Sequence, residues 1–425
     1  MITRLSVRTR LLIVVAVPLI ALGGLTAVFL DGQFAQRSEA TNDRALTSAF
    51  AENGQAMAAL RAEQVLSAGF MLTGDTAVSD QLSGARAETD AAFAEAAAAL
   101  GTVRVDDPTG NVARLVSRYE DMVSGLPDLR SQVDSTEAGG ASDRLDDYDA
   151  RSDIAAEMNT TLVGATSPAT DLSADLVLDQ TMSATGRQLA YATMLTQPGD
   201  VDAVVEGRFD AAGARTDSLY LTYRTTLADA AERAIVDAAR RDEAARQAGA
   251  DMQALASGVS AEDLGTSPAE FAPAAVGTIG VYDQAKTDIL QSSLQASSER
   301  VEVANRQVLV AIAIAAVAFI FTALIASIVV RSVIRPLRKL SDAAEGLATD
   351  TLPRLVDSLV NPAVEAPELT DLGVKGTDEI GQLAAAFNDV QQSIIDVSNR
   401  QSEVVTRGIS DMYINLARRN QSLLD

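Results

Sequence analysis

A soluble fold has little use for VLVAIAIAAVAFIFTALIASIVV, the 23 uncharged residues from Val308 to Val330. At about 1.5 Å per residue they make a helix of roughly 35 Å, long enough to cross a hydrocarbon layer with some tilt. Arg331 ends the run, and Arg335, Pro336, Arg338 and Lys339 follow at once. Basic residues clustered beside an apolar span mark its cytoplasmic side. Residues before Val308 are therefore expected outside, and residues after Val330 inside.

A second uncharged run, Leu11 to Leu30, follows Arg4, Arg8 and Arg10 and ends at Asp31. A basic start and an apolar middle also describe a signal peptide. This run is longer than a usual signal core and lacks a small-x-small cleavage site, which favours an uncleaved anchor. Two crossings (11–30 and 308–330) with basic residues on one side place the chain in the plasma membrane. Both termini are then cytoplasmic, residues 1–10 form a tail, and residues 31–307 lie outside. Pro18 and Gly23-Gly24 are tolerable inside a membrane helix.

Residues 31–307 lack the period-2 runs of β-branched and aromatic residues that strands need. The expected fold class is all-α, with an up-down helical bundle outside the membrane. Helices are expected over Phe34–Leu72, continuing the first span, and over Thr76–Leu100, with Leu82, Phe93 and Leu100 inward. Val112–Val133 should break near Gly125 and Pro127, and Leu145–Leu195 at Ser167-Pro168. A long pair is expected within Val201–Leu255, and a last helix over Val276–Arg306. Asp134–Asp143 and Ser257–Pro273 read as loops. Met71-Leu72-Thr73-Gly74-Asp75 returns as Met194-Leu195-Thr196-Gln197-Pro198-Gly199-Asp200, and Gly84-Ala85-Arg86 returns as Gly213-Ala214-Arg215. Ala-rich helices match by chance easily. A true duplication would give two similar hairpin units, with a ligand site between the halves.

Composition excludes several chemistries. The chain has no Cys and no His. It therefore has no disulfide, no phospho-accepting or general-base His, and no His-ligated metal; no metal site is expected. With 34 basic and 58 acidic residues the net charge is −24, which argues against nucleic acid as a partner. The same field repels dissolved anions, so an anion site needs local Arg groups. The acidity also reads as a solvated surface.

Past the second span, Leu337, Leu340, Ala344 and Leu347 step by 3, 4 and 3, a coiled-coil seam. Thr349–Thr377 is a connector rich in Pro and Gly. A second helix is expected from Thr377-Asp378-Glu379, with Thr377 as N-cap. Ile380, Leu383, Phe387, Val390 and Ile394 continue as a seam. Two short seamed helices cannot bury their faces alone; two chains make a parallel four-helix bundle, hence a homodimer. The order of span, Arg-Pro-Leu, amphipathic helix, connector and Asp-Glu-Ile-Gly-x-Leu-x-x-x-Phe-Asn resembles a HAMP domain over 331–396. The resemblance implies a signal-relay role for Pro336, Leu337, Leu340, Glu379, Ile380, Leu383 and Phe387.

The connector's length and the final SDMYINLARRNQSLLD, within 397–425, are similar to actinobacterial sensor histidine kinases. There the helix runs on to a dimerisation region and an ATP-binding core. The sequence is thus expected to be the sensing and relay half of such a kinase. No catalytic residue and no cofactor are expected in this chain, and ATP and a response regulator enter only through a missing core. The front fragment of a full-length histidine kinase whose gene continues, a chemotaxis-type or adapter receptor without kinase output, and a purely structural membrane protein are the alternatives.

Leu60-Arg61-Ala62-Glu63-Gln64-Val65-Leu66-Ser67-Ala68 resembles the first-helix pattern of nitrate- and nitrite-sensing helical domains, and Arg86-Ala87-Glu88-Thr89-Asp90 the second. In that family an Arg follows the Glu, and paired Arg groups from two helices are thought to bind the anion. Here Gln64 stands in that place. Arg187, in Arg187-Gln188-Leu189-Ala190, keeps an Arg at the comparable place of the second half. The resemblance implies Arg61, Gln64, Arg86, Arg187 and Arg215 as candidate residues for a small anion such as nitrate or nitrite. Surface or interhelical ion pairing is the other reading of each Arg.

Overall fold

The computed structural model describes residues 7–105, 107–135, 140–199, 202–360, 373 and 378–421. Among the described residues every regular element is a helix and there is no strand. The protein is all-α. Two helical stretches, Ala16–Thr73 and Pro268–Asp357, contain windows long and apolar enough to cross a membrane. The chain divides into two compact units, one formed by Asp31–Leu309 and the other by Met1–Leu30 with Val310–Asp425.

The first unit is organised around α1 (Val7–Thr73). Over residues 45–71 no position of α1 is exposed, so this part of the helix is enclosed on all sides. Leu46, Phe50, Met57, Leu60, Val65 and Leu66 form the apolar side of that packing. Asn53, Arg61, Glu63, Gln64 and Ser67 are buried on the same helix. Buried polar groups need partners, and each of these has one, as set out below.

Around α1 lie α2 (Thr76–Leu100), α3 (Asn111–Ser124), α4 (Leu126–Ser135), α5 (Ala141–Gly164) and α6 (Ser173–Leu195). They are followed by α7 (Ala203–Thr222), α8 (Ala230–Ala239), α9 (Glu243–Ala256), the single turn α10 (Ala261–Leu264) and α11 (Pro268–Val329). Leu82 and Phe93 are fully buried and Leu100 is half-buried. The break between α3 and α4 falls at Gly125. Gly139, in the expected loop after α4, lies outside the described residues.

Two expectations are corrected here. Val201–Leu255 holds three helices rather than a pair. After α7 the ladder widens into a π-turn at Tyr223–Leu227, where Ala228 N donates to Tyr223 O at 2.7 Å. Asp229 then restarts the chain with a capping box: its carboxylate accepts from Ala231 and Glu232 N–H, and Glu232 accepts from Asp229 N–H at 2.9 Å. Asp242 caps α9 through Ala244 N–H. Ser257–Pro273 is also not all loop. The long α11 begins at Pro268, where a missing N–H costs nothing, and Glu270 reaches back to Ser267 N–H at 3.1 Å.

The order of helices recurs: a long helix, a hairpin partner, two short helices and another long helix in α1–α5, and the same in α6–α11 with the single turn α10 added before the last. Both hairpin turns contain a Gly at positive φ, Gly74 at 61° and Gly199 at 125°. Asp75 caps α2 and Asp202 caps α7. The buried positions Val78, Leu82 and Ala85 correspond to Val205, Phe209 and Ala212. The two caps and the three buried pairs are each 127 residues apart, and the two glycines 125. The cap corresponding to Asp75 is thus Asp202; Asp200, its counterpart by sequence, lies outside the described residues.

The turn from α5 to α6 is tied down at both sides. Asp43 of α1 accepts from Ser167 N at 2.9 Å and from Thr170 Oγ1 at 2.7 Å. Arg300 of α11 donates to the same Thr170 hydroxyl.

In the second unit, Pro336 sits in the first turn of α12 (Arg335–Gly346). Its absent N–H breaks the normal ladder, and the preceding residues Val330–Ile334 form a π-turn in which Arg335 N–H reaches Val330 O. A second π-turn, Leu347–Thr351, leads into α13 (Leu352–Val360). The start of the expected connector is therefore helical, with Pro353 in the first turn of α13. Most of its remainder lies outside the described residues, as does Thr377. Asp378 caps the last helix, α14 (Glu379–Gln421), by accepting from Gly381 N–H at 2.8 Å. Helices α12 and α13 both contact α14. Leu340, Leu355 and Ala384 are buried. Pro336, Leu337, Ile380 and Phe387 are half-buried, whereas Glu379 and Leu383 are exposed in the single chain.

Candidate functional site

Arg61 and Gln64 lie one turn apart on α1 and face α5. Arg61 is only 2% exposed. Its Nη1 donates to Gln64 Oε1 at 2.6 Å and to Asp149 Oδ1 of α5 at 2.7 Å; its Nη2 donates to Ser183 Oγ of α6 at 3.2 Å. Gln64 Nε2 donates to the same Asp149 Oδ1 at 3.0 Å and to Leu145 O at 3.1 Å. From α6, Arg187 Nε stands 3.2 Å from Asp149 Oδ1, and its Nη2 donates to Asp153 at 2.6 Å. Tyr191, one turn further, donates to Asp149 Oδ2 at 2.9 Å. Gly186 makes room for this: a Cβ there would stand 3.1 Å from Arg61 Cβ and Cγ.

Burial pushes the Arg61 guanidinium below its ordinary value, and Asp149 offsets part of that. Burial also opposes the charge on Arg187, but Asp149 and Asp153 outweigh it and hold it above its ordinary value. Arg61 Nε has no hydrogen-bond partner among the described residues. Beside the cluster opens a cleft of about 680 Å³, lined in part by Asp149, Arg187, Tyr191, Arg208 and Arg215. Arg208 pairs with Asp146, and its guanidinium carbon stands 5.9 Å from the Tyr191 ring centre. Arg215 is exposed and makes no hydrogen bond or ion pair among the described residues. Convergent N–H and O–H donors beside an open cleft with a spare cation can bind a small oxyanion.

The structure thus brings together Arg61, Gln64 and Arg187, with Arg215 on the cleft beside them. Arg86 is not part of this cluster. It forms a two-bond pair with Asp134 at 2.7 and 3.1 Å. Nearby, Arg130 bonds both oxygens of the buried Glu63 at 2.9 Å, and Tyr148 donates to Glu63 at 2.8 Å and meets Ser67 at 3.1 Å. Sequence reasoning missed Asp149, Tyr191 and Arg208. A usable signal existed: Asp146, Asp149 and Asp153 step by 3 and 4, which puts three carboxylates on one helix face.

A second buried polar layer crosses the bundle. Lys286 of α11 donates to Gly54 O at 2.8 Å and pairs with Asp283 at 3.1 Å and Asp179 at 3.3 Å. Burial disfavours its charge, but Asp179 and Asp283 outweigh this and raise it above the ordinary lysine value. Asp179 accepts from Asn159 at 2.9 Å, Asn159 accepts from Asn53 at 2.7 Å, and Asn53 accepts from Tyr119 at 2.7 Å. No helix in this layer is left without a polar tie to its neighbour.

Asp175, near the start of α6, is buried against α11 and accepts from Ser293 at 3.1 Å. Burial pushes its carboxyl up to about 6; Glu232 and Asp171 add to this and the Ser293 bond opposes it. A carboxyl with a folded value above its unfolded one favours folding while protonated. Stability is therefore expected to fall as pH rises from about 4 through about 6, and to stay lower above that. Asp175→Asn should flatten this slope and add up to about 3 kcal/mol at pH 8, at 1.36 kcal/mol per unit. Urea unfolding at pH 5 and pH 8 measures it.

The family described as nitrate and nitrite sensing matches residues 55–294, and the HAMP domain family matches residues 328–396. No curated protein matches the chain. Among solved structures, that of the NasR transcription antiterminator is similar in fold, with a TM-score of 0.55 and 12% identity over 87% of this chain and 99% of that one. The sensing and HAMP domains together indicate a receptor that senses a signal and relays it. With more than half of its residues matched, the chain belongs to the nitrate and nitrite sensing family.

Proposed function

We propose that this protein is a dimeric, two-pass membrane receptor that binds a small oxyanion outside and reports it through its HAMP domain to a histidine kinase core. The observation that carries the reading is the cluster of Arg61, Gln64 and Arg187 on two helices of a nitrate- and nitrite-sensing domain, beside a cleft with the unpaired Arg215. Basic residues next to both apolar runs favour cytoplasmic termini and an outside sensor. A ligand that engages Arg187 loosens or tightens α5 against α6. The turn joining these helices is bonded to α1 through Asp43 and to α11 through Arg300, the two helices that carry the apolar runs. A small shift of α11 then changes the packing of Leu337, Leu340, Ile380, Leu383 and Phe387 between two arrangements of similar energy. ATP and a response regulator are partners of the kinase core, and reading the gene past codon 425 tests that output.

The test of sensing is thermal unfolding of the full chain in nanodiscs with sodium nitrate, sodium nitrite or sodium chloride at equal ionic strength. Nitrate or nitrite at 100 times its Kd should stabilise the protein by about 2.7 kcal/mol. Arg61→Ala and Arg187→Ala should each remove the effect. Equal unfolding temperatures in all three salts would defeat the oxyanion reading.

A further inference from the structure

The oxyanion donors are already occupied by the protein itself. Asp149 Oδ1 receives Arg61 at 2.7 Å, Gln64 at 3.0 Å and Arg187 at 3.2 Å, and Oδ2 receives Tyr191 at 2.9 Å. A carboxylate is a flat anion whose two oxygens lie a little over 2 Å apart, much like any O–N–O edge of nitrate or nitrite. Donors that fit one edge fit the other. Resting on the oxyanion reading above, we infer that Asp149 is a tethered stand-in for the ligand, and that an incoming nitrate or nitrite binds by displacing it.

Three observations support displacement over simple addition. Asp149 is the shared acceptor: the side chains of Arg61, Gln64 and Arg187 converge on one of its oxygens. A second anion added beside it would bring two negative charges against the same two guanidinium groups. The cleft of about 680 Å³ is lined by Asp149, so the carboxylate has somewhere to go. The incoming charge would meet Arg215, whose guanidinium is otherwise unengaged among the described residues. A tethered group competes at an effective concentration in the millimolar range or above. The site therefore trades affinity for a conformational consequence: Asp149 cannot leave unless the α5 face that bears it changes its packing on α1 and α6.

The experiment is calorimetric titration of the full chain in nanodiscs with sodium nitrate at fixed ionic strength. Asp149→Asn removes the competing charge and should lower the nitrate Kd at least tenfold. Asp149→Ala removes the carboxylate while leaving every donor of the site in place, and should lower the Kd at least tenfold as well. Asp153→Asn, at the exposed partner of Arg187, should change it less than twofold. If wild type binds nitrate and both Asp149→Asn and Asp149→Ala bind it no more tightly, Asp149 is a structural ion-pair partner and displacement is wrong. Should neither variant fold in chloride, Asp149→Ala decides through rescue: nitrate in the vacated place should restore its folding, and failure to fold in either salt overturns displacement. If no form binds nitrate, wild type included, the oxyanion reading fails first and displacement fails with it.

Discussion

Lys286→Met is expected to destabilise the Asp31–Leu309 unit by roughly 3–5 kcal/mol, the range for removing one partner of a buried ion pair. The ammonium is 5% exposed as a residue and has Gly54 O, Asp283 and Asp179 around it. Without it, the buried Asp179 carboxylate keeps only the amide of Asn159 as a neutral donor. The loss comes from that stranded charge rather than from the lost attraction. Lys286→Met combined with Asp179→Leu should therefore recover most of the stability, because an apolar pair replaces a charged one of similar size. Denaturant melts of the wild type, the single and the double variant measure both effects. A single variant as stable as wild type would mean that the layer is solvated.

The second large effect concerns assembly. Leu383, Val390, Val397 and Val404 recur every seven residues on α14 and are 55%, 54%, 61% and 69% exposed in one chain. Such a stripe fits the d-type seam of the dimer proposed above. Each side chain contributes about 1.5–3 kcal/mol when fully buried. In the dimer proposed above, Leu383→Asp with Val390→Asp should leave a detergent-solubilised monomer by sedimentation, and uncouple any fused output from the sensor. A dimer that survives both changes would place its contact elsewhere.

Fold class was legible because it depends on local pattern. The apolar runs, the absence of alternating strands and the seam at Ile380, Phe387 and Ile394 are all properties of short windows. The helix starts at Asp229 and Pro268 were legible too, in the D-A-A-E capping box and in a Pro at the first helical position, and were passed over as loop or continuous helix. The candidate site was legible by half. Arg61, Gln64 and Arg187 stand out through their motif. Arg86 lies in an equally good motif, and only its bonds to Asp134 separate it from them. The residue that completes the cluster, Asp149, lies 88 positions from Arg61, and nothing local tells it from Asp146 or Asp153. Lys286 reaches Gly54 over 232 positions, a pairing set by the packing of helices alone.

The polar side chains along α1 have a mechanical consequence. Asn53, Arg61, Glu63, Gln64 and Ser67 engage α3, α4, α5 and α6 at successive heights. Sliding this helix by one residue, about 1.5 Å, would strain these bonds together rather than one at a time. By contrast the polar ties of α11 to its neighbours, through Lys286, Ser293 and Arg300, come at intervals of seven residues. The inner helix is thus the more densely keyed of the two in its polar contacts.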